Sequence, residues 1–311
     1  MEMNLSEIDM RDAFFDGVYE TAKNDKNVIF LTCDHSAFSL IKFEKDFPNQ
    51  FINMGISEQN MTGVSAGLAL SNKTVYMYGI APFVTFRCLE QINIDLCSMN
   101  LNVNIVSMGT GLTYSSDGPT HHGIQDQAIM SALPNLSIYN VSDHINSDAF
   151  AKICHKESGP KIIRIEKGKF PILYEKNNVD FSDGLSMLKE GDDLIIISTG
   201  IMVQRAISIA NKLKKYNVNA GVIDIFRIKP LNQDLLLEFI ESYNKIIVIE
   251  ENIFTGGLGS VVGTLIAEYN IKGLFKRFAI KDQYCFQSGP REWMQDKFGL
   301  GEEEIIRSIE R

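Results

Sequence analysis

Three stretches of the sequence hold side chains whose type and spacing could do chemistry. In NMGISEQNMTGVSAGLAL, positions 53 to 70, one carboxylic acid, Glu58, stands between a glycine turn and a run of small residues. Gly55-Ile56-Ser57 predicts a turn in which Ser57 caps a helix, so Glu58 falls in the first helical turn, where free N–H groups favour an acidic side chain. Gly63, Ala66, Gly67 and Ala69 predict close packing along that helix. Taken alone, Glu58 reads more readily as a structural first-turn glutamate. In GIAPFVTFRCLEQI, positions 79 to 92, Phe83 and Phe86 are three apart at the start of a helix that follows a strand, which puts both on one face. They read as core aromatics or as walls for a flat ring. The loop GTGLTYSSDGPTHHGIQDQAIMSALPN, 109 to 135, is long, polar and glycine-rich between a strand and a helix, and such loops are costly to order unless they serve a site. His121, His122 and Asp117 give it acid, base and hydrogen-bonding capacity near neutral pH. Adjacent histidines point to different sides of a helix, which disfavours a shared metal. A fourth stretch, EENIFTGGLGSVVG at 250 to 263, looks like a phosphate loop after a strand. Its glycines 257, 259 and 263 miss the G-x-G-x-x-G spacing, and tight turn packing is the better reading.

The elements that must position these residues alternate. Short β-branched runs at 27–32, 74–80, 102–108, 136–141 and 161–166 predict strands, and 8–23, 57–71, 83–99, 123–132 and 146–156 predict helices between them. A second series follows, with strands at 193–200, 219–225, 245–251 and 277–282 and helices near 201–216, 231–243 and 257–269. Residues 168–184 lack a period and read as a linker. The fold class is therefore α/β with two domains, 1–175 and 185–311, each a largely parallel sheet flanked by helices. In such folds ligands sit beyond the carboxyl ends of strands, in the loops that lead into helices.

The 30 basic residues against 39 acidic ones give a formal charge of −9, with no basic patch to attract nucleic acid. The start, MEMNLSEIDM, lacks the basic and apolar regions of a signal peptide, and no apolar run is long enough for a membrane span; a cytoplasmic protein is expected. Cys33, Cys88, Cys97, Cys154 and Cys285 are scattered and form no C-x-x-C pair, so they read as reduced, buried thiols rather than disulfides or zinc ligands.

NMGISEQNMTGVSAGLAL, YGIAPFVTFRCLEQI and DGPTHHGIQDQAIMSALPN, in that order and spacing, resemble the pyrimidine-binding domain of transketolases and deoxyxylulose-phosphate synthases. STGIMVQRAISIANKL, DIFRIKPLNQDLL, IEENIFTGGLGS and SGPREWMQDKFGL resemble the carboxy-terminal domain of the same group. The resemblance implies that Glu58 hydrogen-bonds N1′ of the aminopyrimidine of thiamine diphosphate, which needs a carboxyl buried enough to act as a proton donor. It implies that Ile56, Phe83 and Phe86 pack on the cofactor. It further implies that Asp117 and His121 face substrate oxygens, and that Lys167 stands where the family often has an arginine that contacts a substrate phosphate. There are departures from the family pattern. Gly109 occupies the place of a substrate-binding histidine, and the loop TCDHSAFS differs, although His35 or Ser36 can reach the same space.

The family holds the cofactor's diphosphate and Mg²⁺ with a G-D-G motif and a later asparagine, and this sequence contains no G-D-G. No metal ligands are therefore expected on this chain. The implied protein is the C-terminal subunit of a split transketolase, whose partner is an N-terminal, diphosphate-binding subunit, most simply in an α2β2 heterotetramer. The expected reaction moves a two-carbon ketol unit from a ketose phosphate to an aldose. The alternatives are the β subunit of a 2-oxo acid dehydrogenase and a non-catalytic regulatory subunit.

Overall fold

The computed structural model describes residues 4–175 and 179–310. Part of the expected linker, 176–178, lies outside them, as do residues 1–3. Strands β1 (Val28–Thr32), β2 (Phe51–Asn53), β3 (Thr74–Ile80), β4 (Val103–Met108), β5 (Ser137–Asn140) and β6 (Lys161–Ile165) lie in one sheet, and β7 (Leu185–Lys189), β8 (Leu194–Ser198) and β9 (Ala220–Ile225) in another. Three more follow: β10 (Arg227–Lys229), β11 (Lys245–Ile253) and β12 (Leu274–Ile280). The first sheet runs β10-β5-β6-β4-β3-β1-β2 and the second β12-β11-β8-β9-β7. All pairings are parallel except β10 on β5 and β7 on β9. Strands β1, β4, β6, β8 and β9 are buried along their whole length, as parallel strands covered on both faces must be.

The covering helices are α1 (Met10–Asn24), α2 (Phe38–Asp46), α3 (Glu58–Leu70), α4 (Ala81–Val84), α5 (Leu89–Gln91), α6 (Asp126–Ser131) and α7 (His144–Lys156) on the first sheet. The rest are α8 (Met202–Leu213), α9 (Gln233–Ile240), α10 (Leu258–Glu268), α11 (Arg291–Gln295) and α12 (Glu302–Glu310). Caps fix several starts. Asp9 accepts from the amides of Arg11 and Asp12, and Asp143 and Asn146 form a reciprocal capping box on α7. No helix is long and apolar enough to cross a membrane among the described residues.

Among the departures from the sequence reading, five bear on the site and on the join between the two halves. The expected continuous helix over 83–99 is broken into α4, a 3-10 turn at Phe86–Cys88, α5 and a π-helical segment at Ile92–Ser98. Its break is at Thr85, whose hydroxyl bonds back to the Ala81 carbonyl at 2.5 Å. Ser57 precedes α3 without capping it, because its hydroxyl donates to the Met54 carbonyl at 2.8 Å. Gly63 and Gly67 do not mediate close packing within this chain, for a Cβ at either would meet nothing within 4 Å. The linker is packed rather than loose: Leu173 and Tyr174 are buried, and their amides donate to Asp143 Oδ2 at 2.9 and 3.1 Å. Finally β10, from the second half of the chain, pairs with the first sheet, so the halves share a sheet edge.

Buried charge joins the halves further. Arg291 bridges Glu166 of the first and Glu251 of the second, with N–O distances of 3.0 Å to Glu166 Oε1 and 3.1 Å to Glu251 Oε1. Burial pushes the Glu251 carboxyl up and the Arg291 cation outweighs it, leaving Glu251 below its ordinary value. Asp224 accepts from Ser142 and Tyr174 at 2.5 and 2.7 Å, and burial pushes it up to about 7.

Both groups can be tested. Arg291→Ala leaves two carboxylates buried without their counter-ion and should cost about 3–5 kcal/mol in denaturant unfolding. Because Asp224 is raised from 3.8 to about 7, its contribution to stability is full below the unfolded value and is lost as pH rises through the folded one. The stability of Asp224→Asn relative to the wild type should therefore rise across that window in urea melts at a series of pH values.

Candidate active site

The loops that follow β2, β1, β3 and β4, four adjacent strands, carry Glu58, His35, Phe83 and His121 respectively. Glu58 opens α3 with its side chain 3% exposed. Its Oε2 accepts from Arg87 Nη1 at 2.7 Å, and the Arg87 guanidinium lies 4.2 Å above the centre of the Phe83 ring. Cys33 and Cys88 lie close enough to feel the Glu58 charge. Burial raises the Cys33 thiol and pushes Cys88 up to about 11, so both stay neutral and back the carboxyl with weakly polar sulfur. Met61 Sδ, 3.6 Å from Cys33 Sγ, extends that backing.

From Phe83 the site runs to the histidine loop. The His121 ring stands edge-on to Phe83 at 5.1 Å and lies 5.8 Å from Tyr114, and its Nδ1 is 2.9 Å from Thr120 Oγ1. Asp117 is exposed on the same loop, beside the Ser116 hydroxyl at 3.2 Å. His35 is held by Nδ1 to the Cys33 carbonyl at 2.6 Å, with its ring 6.2 Å from Tyr78. Ile56 is 77% exposed at the mouth, two residues before Glu58. Phe86 is half-buried on the 3-10 turn that carries Arg87, so the two phenylalanines do not sit on one regular helix face. Lys167 is exposed just beyond β6. His122 turns inward, and burial lowers its pKa, so it stays neutral and contributes shape rather than charge.

Sequence reasoning missed three neighbours. Arg87 adjoins a phenylalanine in T-F-R-C, a spacing that gives no sign of its ion pair. Arg11 is buried and its charge acts on Tyr78 and Tyr114. Tyr114 explains Gly109: the backbone there has φ +81°, and a Cβ would collide with the tyrosine ring. The phenol ring occupies the space a side chain at 109 would need.

The glycine-rich stretch after β11 is not an open phosphate cradle. The amides of Leu258 and Gly259, at the start of α10, donate to the buried Glu250 carboxyl at 2.7 and 2.8 Å, so the chain fills that helix end itself. Burial pushes Glu250 up to about 7. Among the described residues no group of three or more His, Cys, Asp or Glu side chains is placed to hold a metal ion.

Family models described as "Transketolase, pyrimidine binding domain" and "Transketolase, C-terminal domain" match residues 6–172 and 184–305. The chain belongs to the transketolase family. It is 30% identical over 310 residues to the 6-deoxy-6-sulfo-D-fructose transketolase subunit of Clostridium sp. (strain MSTE9), covering 99% of this chain and 95% of that one. Over 260 residues it is 33% identical to an apulose-4-phosphate transketolase subunit of Phocaeicola vulgatus, covering 83% of each. Against 1-deoxy-D-xylulose-5-phosphate synthase 1 of Geobacter sulfurreducens the identity is 30% over 304 residues, 96% of this chain but 47% of the relative. A solved structure described as a split gene transketolase, inactive beta4 tetramer, superposes with a TM-score of 0.87 at 29% identity, covering 97% of both chains. The chain is thus the C-terminal subunit of a split transketolase, with the pyrimidine-binding and C-terminal domains together.

The packing at Gly109 gives a check on the histidine loop. Gly109→Ala combines left-handed strain with displacement of Tyr114 and should cost about 1–3 kcal/mol in thermal unfolding. Adding Tyr114→Ala should return the steric share and leave the backbone share.

Proposed function

We propose that this chain supplies the pyrimidine-binding half of a transketolase active site, with the cofactor's diphosphate and Mg²⁺ held by a separate N-terminal subunit in an α2β2 assembly. The two halves of the chain, 1–175 and 185–311, act as its pyrimidine-binding and C-terminal domains. Transketolases depend on thiamine diphosphate, and the donor set here fits the pyrimidine end of that molecule. Glu58 offers a carboxyl shielded from water and Phe83 a flat aromatic face beside it. The observation that carries the reading is that Glu58 and Phe83 share one partner, Arg87, while the Phe83 ring also meets His121 edge-on.

Thiamine diphosphate, when bound, supplies the carbon nucleophile that takes up a two-carbon ketol fragment from a ketose and passes it to an aldose. Glu58, 3% exposed, holds a proton at the ring nitrogen away from bulk water. Phe83 orients the ring against that carboxyl, with Phe86 and Ile56 completing the wall on the open side. His121 exchanges a proton with a sugar oxygen, and its edge contact with Phe83 and its Thr120 partner fix its plane. Asp117 accepts from sugar hydroxyls, and His35 donates or accepts through the ring nitrogen that Cys33 leaves free. Lys167 provides a point charge for an anionic far end of the sugar. That last role agrees with the named substrates of two relatives, a sulfo-sugar and a sugar phosphate.

The test is transfer of a two-carbon unit by the chain together with its diphosphate-binding partner. Glu58→Gln should lower kcat by roughly 10²- to 10⁴-fold, and His121→Asn by a similar factor, without altering assembly. Release of CO₂ from a 2-oxo acid would instead mark a dehydrogenase subunit. Failure to bind thiamine diphosphate even with the partner would mark a regulatory one.

A further inference from the structure

Arg87 makes two contacts at once: its guanidinium stacks 4.2 Å above the Phe83 ring, and its Nη1 donates to Glu58 at 2.7 Å. These are the two contacts that the transketolase reading requires of an aminopyrimidine. A guanidinium is planar, carries N–H donors in its plane and stacks on aromatic faces, so it satisfies the same seat. Two flat groups cannot share one face of one ring. We propose that Arg87 is an internal occupant of the pyrimidine seat in the free chain, and that its side chain must swing out before the cofactor's ring can enter. The proposal rests on the transketolase reading and adds a competitor built into the chain itself.

The surroundings explain why such an occupant is present and how it leaves. Glu58 is 3% exposed, and an ionised carboxylate there without a partner is costly. Arg87 relieves that cost until something else does. Its side chain remains 42% exposed, so rotation about its own bonds carries the guanidinium into solvent without opening the core. The backbone does not need to follow. Gln59 Nε2 ties the Arg87 carbonyl to α3 at 3.0 Å, and Cys88 Sγ donates to the Phe83 carbonyl at 3.2 Å. The seat therefore keeps its shape while its occupant changes. Every molecule with Arg87 seated is unavailable to the ring, which lowers the apparent cofactor affinity by the open fraction. The ring itself takes over the relief of Glu58 once it is bound.

Calorimetry in two sets of titrations, with Glu58→Gln included in the second, tests this. In the first, Arg87→Ala and the wild-type chain are titrated with methylguanidinium. It should bind Arg87→Ala and bind neither the wild type nor the double variant Arg87→Ala/Glu58→Gln. In the second, Arg87→Met and the wild type are titrated with thiamine diphosphate in the presence of the diphosphate-binding subunit. Arg87→Met should bind about tenfold more tightly, the share of a charge-assisted hydrogen bond that survives partial exposure. Absence of methylguanidinium binding to Arg87→Ala, or a thiamine diphosphate affinity in Arg87→Met equal to or below that of the wild type, overturns the proposal. Equal affinities combined with weakened binding in Glu58→Gln would sink the competition and leave the transketolase reading standing. No binding of thiamine diphosphate to any of these proteins with the partner present would sink both.

Discussion

A carboxyl group held out of water beside a flat aromatic face is the constraint around which this chain is organised. Burial makes an ionised carboxylate expensive, and a nearby planar nitrogen group removes the expense. Glu58 satisfies the first condition through its position at the root of α3, where its side chain is 3% exposed. Arg87 satisfies the second in the free chain. On the proposed reading, an entering ring replaces both contacts of Arg87, the stacking on Phe83 and the hydrogen bond to Glu58.

The second half of the chain matters to this site through the loop that carries His121. The histidine loop is fixed at its base by contacts that reach across the molecule. Leu112 N donates to Glu251 at 2.9 Å, Thr110 and Thr113 donate to Glu166, and Gly111 pairs with Gly123. Arg291 joins the two glutamates and also donates to the Thr110 carbonyl at 3.2 Å. His121 thus stands on a loop whose foot is clamped by one arginine from near the far end of the chain. A long loop of glycines and polar residues would otherwise carry a large entropic cost in taking one conformation.

The strands could be read in the sequence because buried parallel strands leave continuous β-branched runs such as VIFLT and LIIIS. The three-residue strands FIN and RIK could not, since pairing with a neighbour rather than local preference makes them strands; RIK even joins the sheet of the other half. The helix break at Thr85 follows from a side-chain bond to the backbone, invisible to periodicity. The site showed the same division. Glu58, Phe83 and His121 were singled out by the family motifs around them rather than by type alone, and the sheet order places the segments after β2, β3 and β4 along one edge of the fold. Arg87 and Arg291 were not, because an arginine's partner is set by tertiary structure: Glu166 lies on β6's end and Glu251 on β11. Ser57 read as a cap on composition alone, and a nearer acceptor took its hydroxyl.

Whether Glu58 and Phe83 receive the aminopyrimidine of thiamine diphosphate is decided by a crystal structure of this chain bound to its diphosphate-binding subunit, the cofactor and Mg²⁺. The pyrimidine nitrogen should lie within hydrogen-bonding reach of the Glu58 carboxyl, about 2.6–3.2 Å, with the ring on Phe83 and Arg87 turned away. A cofactor ring seated elsewhere, with Arg87 still bonded to Glu58, would refute that assignment.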